Sequence, residues 1–551
     1  MTPRELAAQV DAALMMRNLT AIAGWTKLSG TPEEAESLRQ IRGLLDGYGF
    51  RTTWLEHDAF ISLPGAARVL VDDLPPLSAL THSMSRASPP EGTAGRLVDV
   101  GAGTEADFAR AGDVTGCILL AEGIASPAVA ARAARAGATG QLHISPHEHL
   151  HEMCISPVWG SPSPVTLAEL PTTVACTVAQ ADGMALRGRL GRGEVPRVVL
   201  HAEVDTGWRR TPILVAELDA PGAGPEAPFI LFSGHHDTWY QGVMDNGAAN
   251  MTMLEVARLC ATRRDTWKRG LRLCFWSGHS QGRYSGSAWY ADEHFSELDR
   301  RCAVHVNVDS TGGVGASVLA EAPAAAELAA LAAEALQAET SAAHAGRRMG
   351  RNADQSFWGI GIPSLFSTFS EQPPGAVKMR NSLGWWWHTP DDLIDKIDPA
   401  NLARDTQVYV HAIARLLTED VLPIDHAAQA AGLAAELAKV APGCTVNGVP
   451  LDGLLAQVEA LRAAAAGPHA DRALMRASRA LVPLDYTCGD RFVHDPALPL
   501  PPWPVLEPLR KLAASAPGTD AARLHAVEAR CARNRIAVAL AQATEVLGGT
   551  A

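Results

Sequence analysis

A short apolar run that ends in possible metal ligands is the feature that most constrains this chain. Residues 229–232 are apolar in succession, as in a buried parallel strand, and lead into His235 and Asp237. Asp245 and Asn246 follow, and apolar residues then recur at roughly helical spacing. A strand, a polar loop and a helix predict an α/β fold, in which functional sites form at the carboxyl ends of strands.

Two further apolar runs end in the same way. Residues 303–308 lead into Asp309, and residues 271–276 lead into a loop with His279. A second imidazole, His388, stands just before a predicted helix. Imidazole and carboxylate groups are ligands that zinc prefers, so the sequence predicts a divalent metal site. The alternative is a polar loop whose histidine and aspartate side chains only form hydrogen bonds with the backbone.

The order of these motifs carries a resemblance. His-x-Asp, Asp-Asn-Gly, Gly-Ser-Ala-Trp, Asn-x-Asp and His-Thr-Pro-x-Asp follow one another between about residues 200 and 400. This order resembles the zinc aminopeptidase family, which includes glutamate carboxypeptidase and the metal-free transferrin receptor. The resemblance implies an α/β fold with a mixed central sheet flanked by helices, as in zinc exopeptidases.

The resemblance also implies a ligand set for one or two zinc ions. Asp245 would bridge two ions. His235 and Asp309 would complete the ligands of the first ion. His388 and a glutamate would complete those of the second. Asp237 would orient His235, as carboxylates commonly do for a ligating imidazole.

The chain departs from the family at its catalytic Glu-Glu pair, a general base followed by a zinc ligand. The aligned positions hold His279 and Ser280, or Ser280 and Gln281 if the register moves by one, and no carboxylate occurs from Arg272 to Ala291. A serine hydroxyl is a poor zinc ligand, which weakens the second metal position.

Several readings of this departure stay open. His279 can accept a proton from a metal-bound water, or it can be a ligand of a single ion. A base elsewhere in the chain, or an inactive relative, would also fit. Asp354 lies in a segment that resembles one beside the family's active site.

We therefore predict a metal-dependent hydrolase of an amide or peptide bond in a small substrate, aminopeptidase- or carboxypeptidase-like, with His279, Asp237 and Ser280 as catalytic residues. Substrate-binding candidates are Ser280, Tyr284 and three arginines that can anchor a carboxylate: Arg283, Arg351 and Arg380. Two rival functions are a lyase or isomerase with one metal, and a non-catalytic binding or scaffold protein.

The pattern of elements predicts three domains. Residues 1–85 and 200–420 would form the catalytic domain, and 86–199 an insert that resembles a protease-associated domain. Residues 421–551 would be helical and support a homodimer, as in the glutamate carboxypeptidase branch. The insert contains three histidines within residues 147–152, which we expect to line the cleft rather than bind metal, with Trp159 as a substrate-stacking neighbour.

Composition limits the partners and the compartment. A net charge of −13 argues against nucleic acid and anionic membranes as partners. The nine cysteines show no paired spacing and are expected to be reduced thiols. No signal peptide is evident, and no apolar stretch reaches the ~18 residues of a membrane span. We expect a cytoplasmic protein.

Overall fold

A computed structural model describes residues 1–369, 371–375 and 382–549. Its strands form one mixed sheet of eleven strands, in the order β1-β2-β6-β5-β4-β3-β7-β9-β8-β10-β11. The strands are β1 (Arg51–Val71), β2 (Leu77–Thr81), β3 (Thr93–Asp99), β4 (Ile118–Glu122), β5 (Gly140–Ile144), β6 (Val174–Val178), β7 (Arg197–Leu218), β8 (Phe229–His235), β9 (Gly270–Trp276), β10 (Cys302–Asn307) and β11 (Ser364–Leu365).

Two long antiparallel strands, β1 and β7, connect the two parts of this sheet. One end of β7 pairs with β9, and its other end pairs with β3. Strands β3 to β6 are parallel to one another, and β6 pairs with β2. The predicted division into catalytic domain and insert stays a prediction, since the same strands run through both.

The parallel strands β8, β9 and β10 place their carboxyl ends at one edge of the sheet. Side chains along β8 alternate between two cores, as the period of a strand requires. Ile230 and Phe232 pack into the larger core, while Phe229 and Leu231 pack into the smaller one. Burial on both faces explains why this strand is a continuous apolar run.

Helices cover the sheet and form the C-terminal region. They are α1 (Pro3–Ala7), α2 (Ala12–Ile22), α3 (Pro32–Gly47), α4 (Glu105–Ala111), α5 (Pro127–Arg135), α6 (Gln180–Gly191), α7 (Ala249–Ala261), α8 (Ser285–Glu293), α9 (Phe295–Arg301), α10 (Ala329–Thr340), α11 (Pro399–Thr418), α12 (His426–Val446), α13 (Asp452–Ala465), α14 (Asp471–Tyr486), α15 (Glu507–Ala514) and α16 (Asp520–Gly548). Among the described residues, none of these helices is long and apolar enough to cross a bilayer.

The N-terminal helices begin at side-chain caps. Helices α1 and α2 are separate, because Asp11 caps a new helix by accepting a hydrogen bond from the backbone N–H of Leu14. Helix α3 begins after Thr31, whose side chain accepts a hydrogen bond from the N–H of Glu34.

The C-terminal helices α12 to α16 pack on one another and share the larger core with α7, α10 and α11. The helical character predicted for residues 421–551 agrees with these five helices, of which α14 buries apolar residues on one face and carries arginines between them. A large mixed sheet flanked by helices and followed by a helical region confirms the predicted fold class.

Candidate metal centre

His235, the last residue of β8, faces two carboxylates. Its Nε2 atom lies 3.0 Å from Oδ1 of Asp245 and 3.9 Å from Oδ1 of Asp309. Asp245 lies in the irregular turn before α7, and Asp309 follows the end of β10. All three residues are buried. The neighbouring strands β8 and β10 thus bring three of the predicted ligands together.

The carboxylate of Asp245 lies between two imidazoles. Its Oδ1 atom faces His235, and its Oδ2 atom lies 3.0 Å from Nε2 of His388. Burial raises the pKa of Asp245, but close contacts with both histidines outweigh it and lower the pKa well below its usual value. An ionised carboxylate that faces two ring nitrogens can bridge two cations.

Two buried side chains hold the segments that carry these ligands. The carboxylate of Asp392 accepts hydrogen bonds from the backbone N–H groups of residues 244 and 245, at 2.8 and 3.0 Å. Burial raises the pKa of Asp392 to about 7, although these two hydrogen bonds oppose the shift. Asn246 accepts from the N–H of Ser310 and donates to the carbonyl of His235. Neither residue has a role predicted from the sequence.

Asp237 orients His235 differently from the prediction. The Nδ1 atom of His235 lies 2.7 Å from the backbone carbonyl of Asp237, while the nearer carboxylate oxygen is 3.9 Å away. That carboxylate accepts instead from the hydroxyl of Ser29 and from the backbone N–H groups of His279 and Ser280. Its side chain therefore shapes the loop after β9, and its main chain orients the imidazole.

His388 depends on the predicted insert for its orientation. Its Nδ1 atom lies 2.7 Å from the backbone carbonyl of Glu152, whose N–H donates back to the carbonyl of His388 at 3.1 Å. The Glu152 carboxylate accepts from the hydroxyl of Tyr240 at 3.0 Å. Burial raises the pKa of Glu152 to about 7, although the Tyr240 hydrogen bond opposes the shift. No sequence pattern predicts this contact, because it involves backbone atoms of segments that are distant along the chain.

The three histidines of the insert form a hydrogen-bond chain beside this loop. The N–H of His149 donates to Nδ1 of His147, whose Nε2 atom lies 3.0 Å from Nε2 of His151. The Nδ1 atom of His151 lies 2.5 Å from the carbonyl of Trp387. His147, Glu148 and His149 are close enough to hold an ion, but both ring nitrogens of His147 already take part in hydrogen bonds with His149 and His151.

His279 lies against the same centre. Its ring stacks on that of His235 with centroids 3.7 Å apart and an angle of 12°. Its Nδ1 atom lies 2.9 Å from Oδ2 of the buried Asp354. One ligand atom of His279 is within 4.8 Å of those of His235 and Asp309. The hydroxyl of Ser280 is buried and has no hydrogen-bond partner among the described residues.

The substrate-binding candidates form one wall next to His279. Tyr284 contacts the rings of His279 and Trp159, at 4.9 and 4.4 Å between centroids, and Arg351 covers Trp159 at 4.6 Å. Trp159 is buried between these groups, so its ring is not open for the substrate stacking that the sequence predicted. Arg283 covers Tyr284 at 4.8 Å.

A cavity of about 920 Å³ opens on this wall. Its lining includes Arg283, Arg351, residues of the predicted insert and residues 497–500, but none of the predicted metal ligands, His279 or Tyr284. Arg351 donates to the carbonyls of Asp495 and Pro496, and neither arginine has a carboxylate partner among the described residues. Arg380 lies outside the described residues.

The residues present fit a divalent metal. The Nε2 atom of His235 and the Oδ1 atom of Asp245 are both buried, face each other at 3.0 Å, and lack a hydrogen-bond partner in the described part of the chain. Buried polar atoms are rarely left unsatisfied, and two imidazoles with two carboxylates are suitable zinc ligands. Bound metal would satisfy both atoms.

Comparison with known proteins finds similarity in the part of the chain that contains this centre. Peptidase family M28 matches residues 214–413, which contain all four predicted ligands. Aminopeptidase NAALADL1 of Mus musculus is 24% identical over 140 residues, covering 25% of this chain and 18% of that protein. The glutamate carboxypeptidase 2 homolog of Caenorhabditis briggsae is 26% identical over 202 residues, covering 36% of this chain and 24% of that protein. The chain thus spans less than a quarter of the length of these relatives.

Solved structures show the same fold over a larger share of the chain. An aminopeptidase from Aneurinibacillus sp. strain AM-1 has a TM-score of 0.57 at 20% identity and covers 76% of this chain and 96% of its own. A peptidase M28 precursor from Shewanella amazonensis SB2B has a TM-score of 0.60 at 18% identity, covering 76% and 97%. Residues 214–413, called the M28 region below, are thus similar in sequence to peptidase family M28, and the chain shares the fold of these solved structures.

Proposed function

We propose that this protein is a metal-dependent hydrolase of an amide or peptide bond in a small substrate. The observation that carries the proposal is the position of the Asp245 carboxylate, 3.0 Å from the Nε2 atoms of both His235 and His388. This centre lies in the region that matches peptidase family M28. Zinc is the metal we propose, because solved proteins of the same fold include a zinc aminopeptidase from Bacillus subtilis.

The four predicted ligands would hold the metal. His235, Asp245 and Asp309 would bind the first ion, and Asp245 and His388 are the residues left for a second. When bound, zinc supplies Lewis acidity, which lowers the pKa of water and stabilises negative charge on a carbonyl oxygen. Because Ser280 replaces the family's second glutamate and a hydroxyl is a poor zinc ligand, we propose one tightly held ion.

His279 is proposed as the group that takes up a proton rather than as a ligand. The lone pairs of an imidazole lie in the plane of its ring. Two rings that are nearly parallel and 3.7 Å apart therefore cannot both direct a lone pair at one ion. His235 is already directed at Asp245, so His279 is placed beside the ion, where a histidine can act as general base.

The proposed substrate is a peptide or N-acyl amino acid with a free carboxylate. The cavity of about 920 Å³ has a size common among small-molecule sites. Arg283 and Arg351 contribute positive charge without a carboxylate partner among the described side chains. We propose that these two residues anchor the substrate carboxylate, and that Tyr284 and Ser280 contact the remainder.

Metal analysis together with a hydrolysis assay tests this function. The purified protein, reconstituted with zinc, should hold close to one equivalent and hydrolyse members of a dipeptide and N-acyl amino acid panel. Asp245→Asn should lose metal and hydrolysis together. Bound metal without hydrolysis of any panel member would instead favour a lyase or isomerase. Absence of metal after reconstitution would favour a binding or scaffold protein.

Location and assembly are proposed on separate grounds. All nine cysteines are free, seven of them buried, which supports a reducing compartment such as the cytoplasm. Leu524, Val527 and Val538 expose apolar side chains on α16, which supports a homodimer through the C-terminal helices. Light scattering of the purified protein, with Leu524→Glu as the comparison, tests the dimer, since the variant should be monomeric.

A further inference from the structure

The carboxylate that contacts His279 comes from a distant part of the chain. Asp354 lies in the segment after α10, and its side chain is 1% exposed. Its Oδ2 atom lies 2.9 Å from Nδ1 of His279, and its Oδ1 atom accepts from the hydroxyl of Ser287 at 2.8 Å. Both carboxylate oxygens are therefore committed, one of them to the imidazole.

This contact determines which ring nitrogen of His279 carries the proton. An ionised carboxylate only accepts hydrogen bonds, so the nitrogen that faces it must be Nδ1–H. Burial raises the pKa of Asp354, but contacts that include the hydrogen bonds from His279 and Ser287 outweigh burial, and the net shift is downward. The Nε2 atom of His279 is then left as an acceptor.

Packing also fixes the plane of the ring. One face of His279 stacks on His235, and the edge of Tyr284 contacts it with centroids 4.9 Å apart. Rotation of the ring would break the bond to Asp354. One nitrogen of His279 lies within 4.8 Å of ligand atoms of His235 and Asp309, so proton transfer can occur next to the metal.

We propose that Asp354 is the positioning residue that holds His279 as its Nδ1–H tautomer, and that this His279–Asp354 pair replaces the glutamate base absent from the loop after β9. The inference rests on the proposed hydrolase function. A water molecule transfers a proton to Nε2 of His279 while its oxygen bonds to the substrate carbonyl carbon. The C–N bond then breaks, and Nε2 returns the proton to the leaving nitrogen, while Asp354 stays ionised and stabilises the imidazolium.

Asp354→Asn tests the inference, since the amide keeps the size of the side chain but can donate a hydrogen bond to Nδ1 and favour the other tautomer. We expect kcat to fall by about 100- to 10,000-fold. KM and zinc content should change less than about twofold, because Asp354 is not a proposed ligand. Ser287→Ala, which removes only the contact to the other oxygen, is the matched control and should retain kcat within about tenfold.

Nitrogen-15 NMR of histidine-labelled, metal-free protein reads the tautomer without any assay of activity. The His279 ring should be the Nδ1–H form in wild type and shift toward Nε2–H in Asp354→Asn. The signals of His279 are identified as those that disappear in His279→Gln. If Asp354→Asn does not fold, Asp354→Glu should keep both the wild-type tautomer and part of the activity.

The outcomes separate the inference from the function. An active wild type whose Asp354→Asn variant keeps full kcat, or keeps the wild-type tautomer, overturns the inference alone. Loss of zinc from Asp354→Asn and from His279→Gln would make His279 a ligand and also overturn it. A wild type that hydrolyses nothing would overturn the proposed function and this inference together.

Discussion

The carboxylate of Asp245 and the imidazole of His388 lie 3.0 Å apart although they come from opposite ends of the M28 region. Asp245→Asn removes the negative charge and keeps the shape, so we expect zinc affinity to fall by at least about 100-fold. Titration with a fluorescent zinc chelator measures it. Asp391→Asn, a half-exposed carboxylate in the His388 loop, is the control and should bind zinc as the wild type does.

Ser280→Glu should restore a carboxylate where the family resemblance places a zinc ligand. The Ser280 hydroxyl is buried and has no hydrogen-bond partner among the described residues, so no polar contact is lost in the exchange. We expect zinc content to rise from about one equivalent toward two, because Asp245 and His388 gain a third ligand. Ser280→Gln has the same size without the charge and should stay near one. Equal zinc content in both variants would contradict the assignment of position 280 as the position of the second zinc ion's missing ligand.

His151→Ala should loosen the loop that carries His388. The variant loses the hydrogen bond between Nδ1 of His151 and the buried carbonyl of Trp387, and also the 3.0 Å contact between the Nε2 atoms of His151 and His147. Unsatisfied buried groups cost about 1–3 kcal/mol, so the free energy of unfolding should fall by that amount. Urea denaturation measures the change. His149→Ala, in which the lost ring is partly exposed, should cost less than His151→Ala.

Arg351→Met should raise KM for substrates that end in a carboxylate and spare those that end in an amide. The guanidinium group lines the cavity and pairs with no carboxylate in the described part of the chain. Loss of a charge-assisted contact corresponds to about 1.5–3 kcal/mol, or roughly a 10- to 100-fold rise in KM. Similar losses for both kinds of substrate would show that Arg351 only supports residues 495–496.

The sequence predicted the sheet and the positions of the candidate ligands because both depend on local patterns. An apolar run buried on two faces identifies β8, and the ends of parallel strands bring His235 and Asp309 together. The contacts of His279 with Asp354, and of His388 with Glu152, join segments that no local pattern relates. Helix α14 could have been predicted from the sequence, because Leu474, Ala477 and Leu481 recur at helical spacing on its buried face.

Glu327 should make the stability of the protein depend on pH far from the metal centre. Its carboxylate is fully buried, and neither oxygen has a hydrogen-bond partner among the described residues. Burial raises its pKa from 4.5 to about 8, although the charge of Arg348 opposes the shift. The folded protein therefore holds this proton more tightly than the unfolded chain does.

The sign of the effect follows from this raised pKa. Below about pH 4.5 the carboxyl is protonated in both states, and its contribution to stability is fully present. As pH rises toward about 8, the unfolded chain releases the proton first, and stability falls by up to about 1.4 kcal/mol per pH unit. Glu327→Gln does not titrate, so its Tm advantage over wild type should grow from pH 5 to 8 and then level off. Calorimetry at several pH values measures it, and Glu459→Gln, an exposed exchange, should show no such trend.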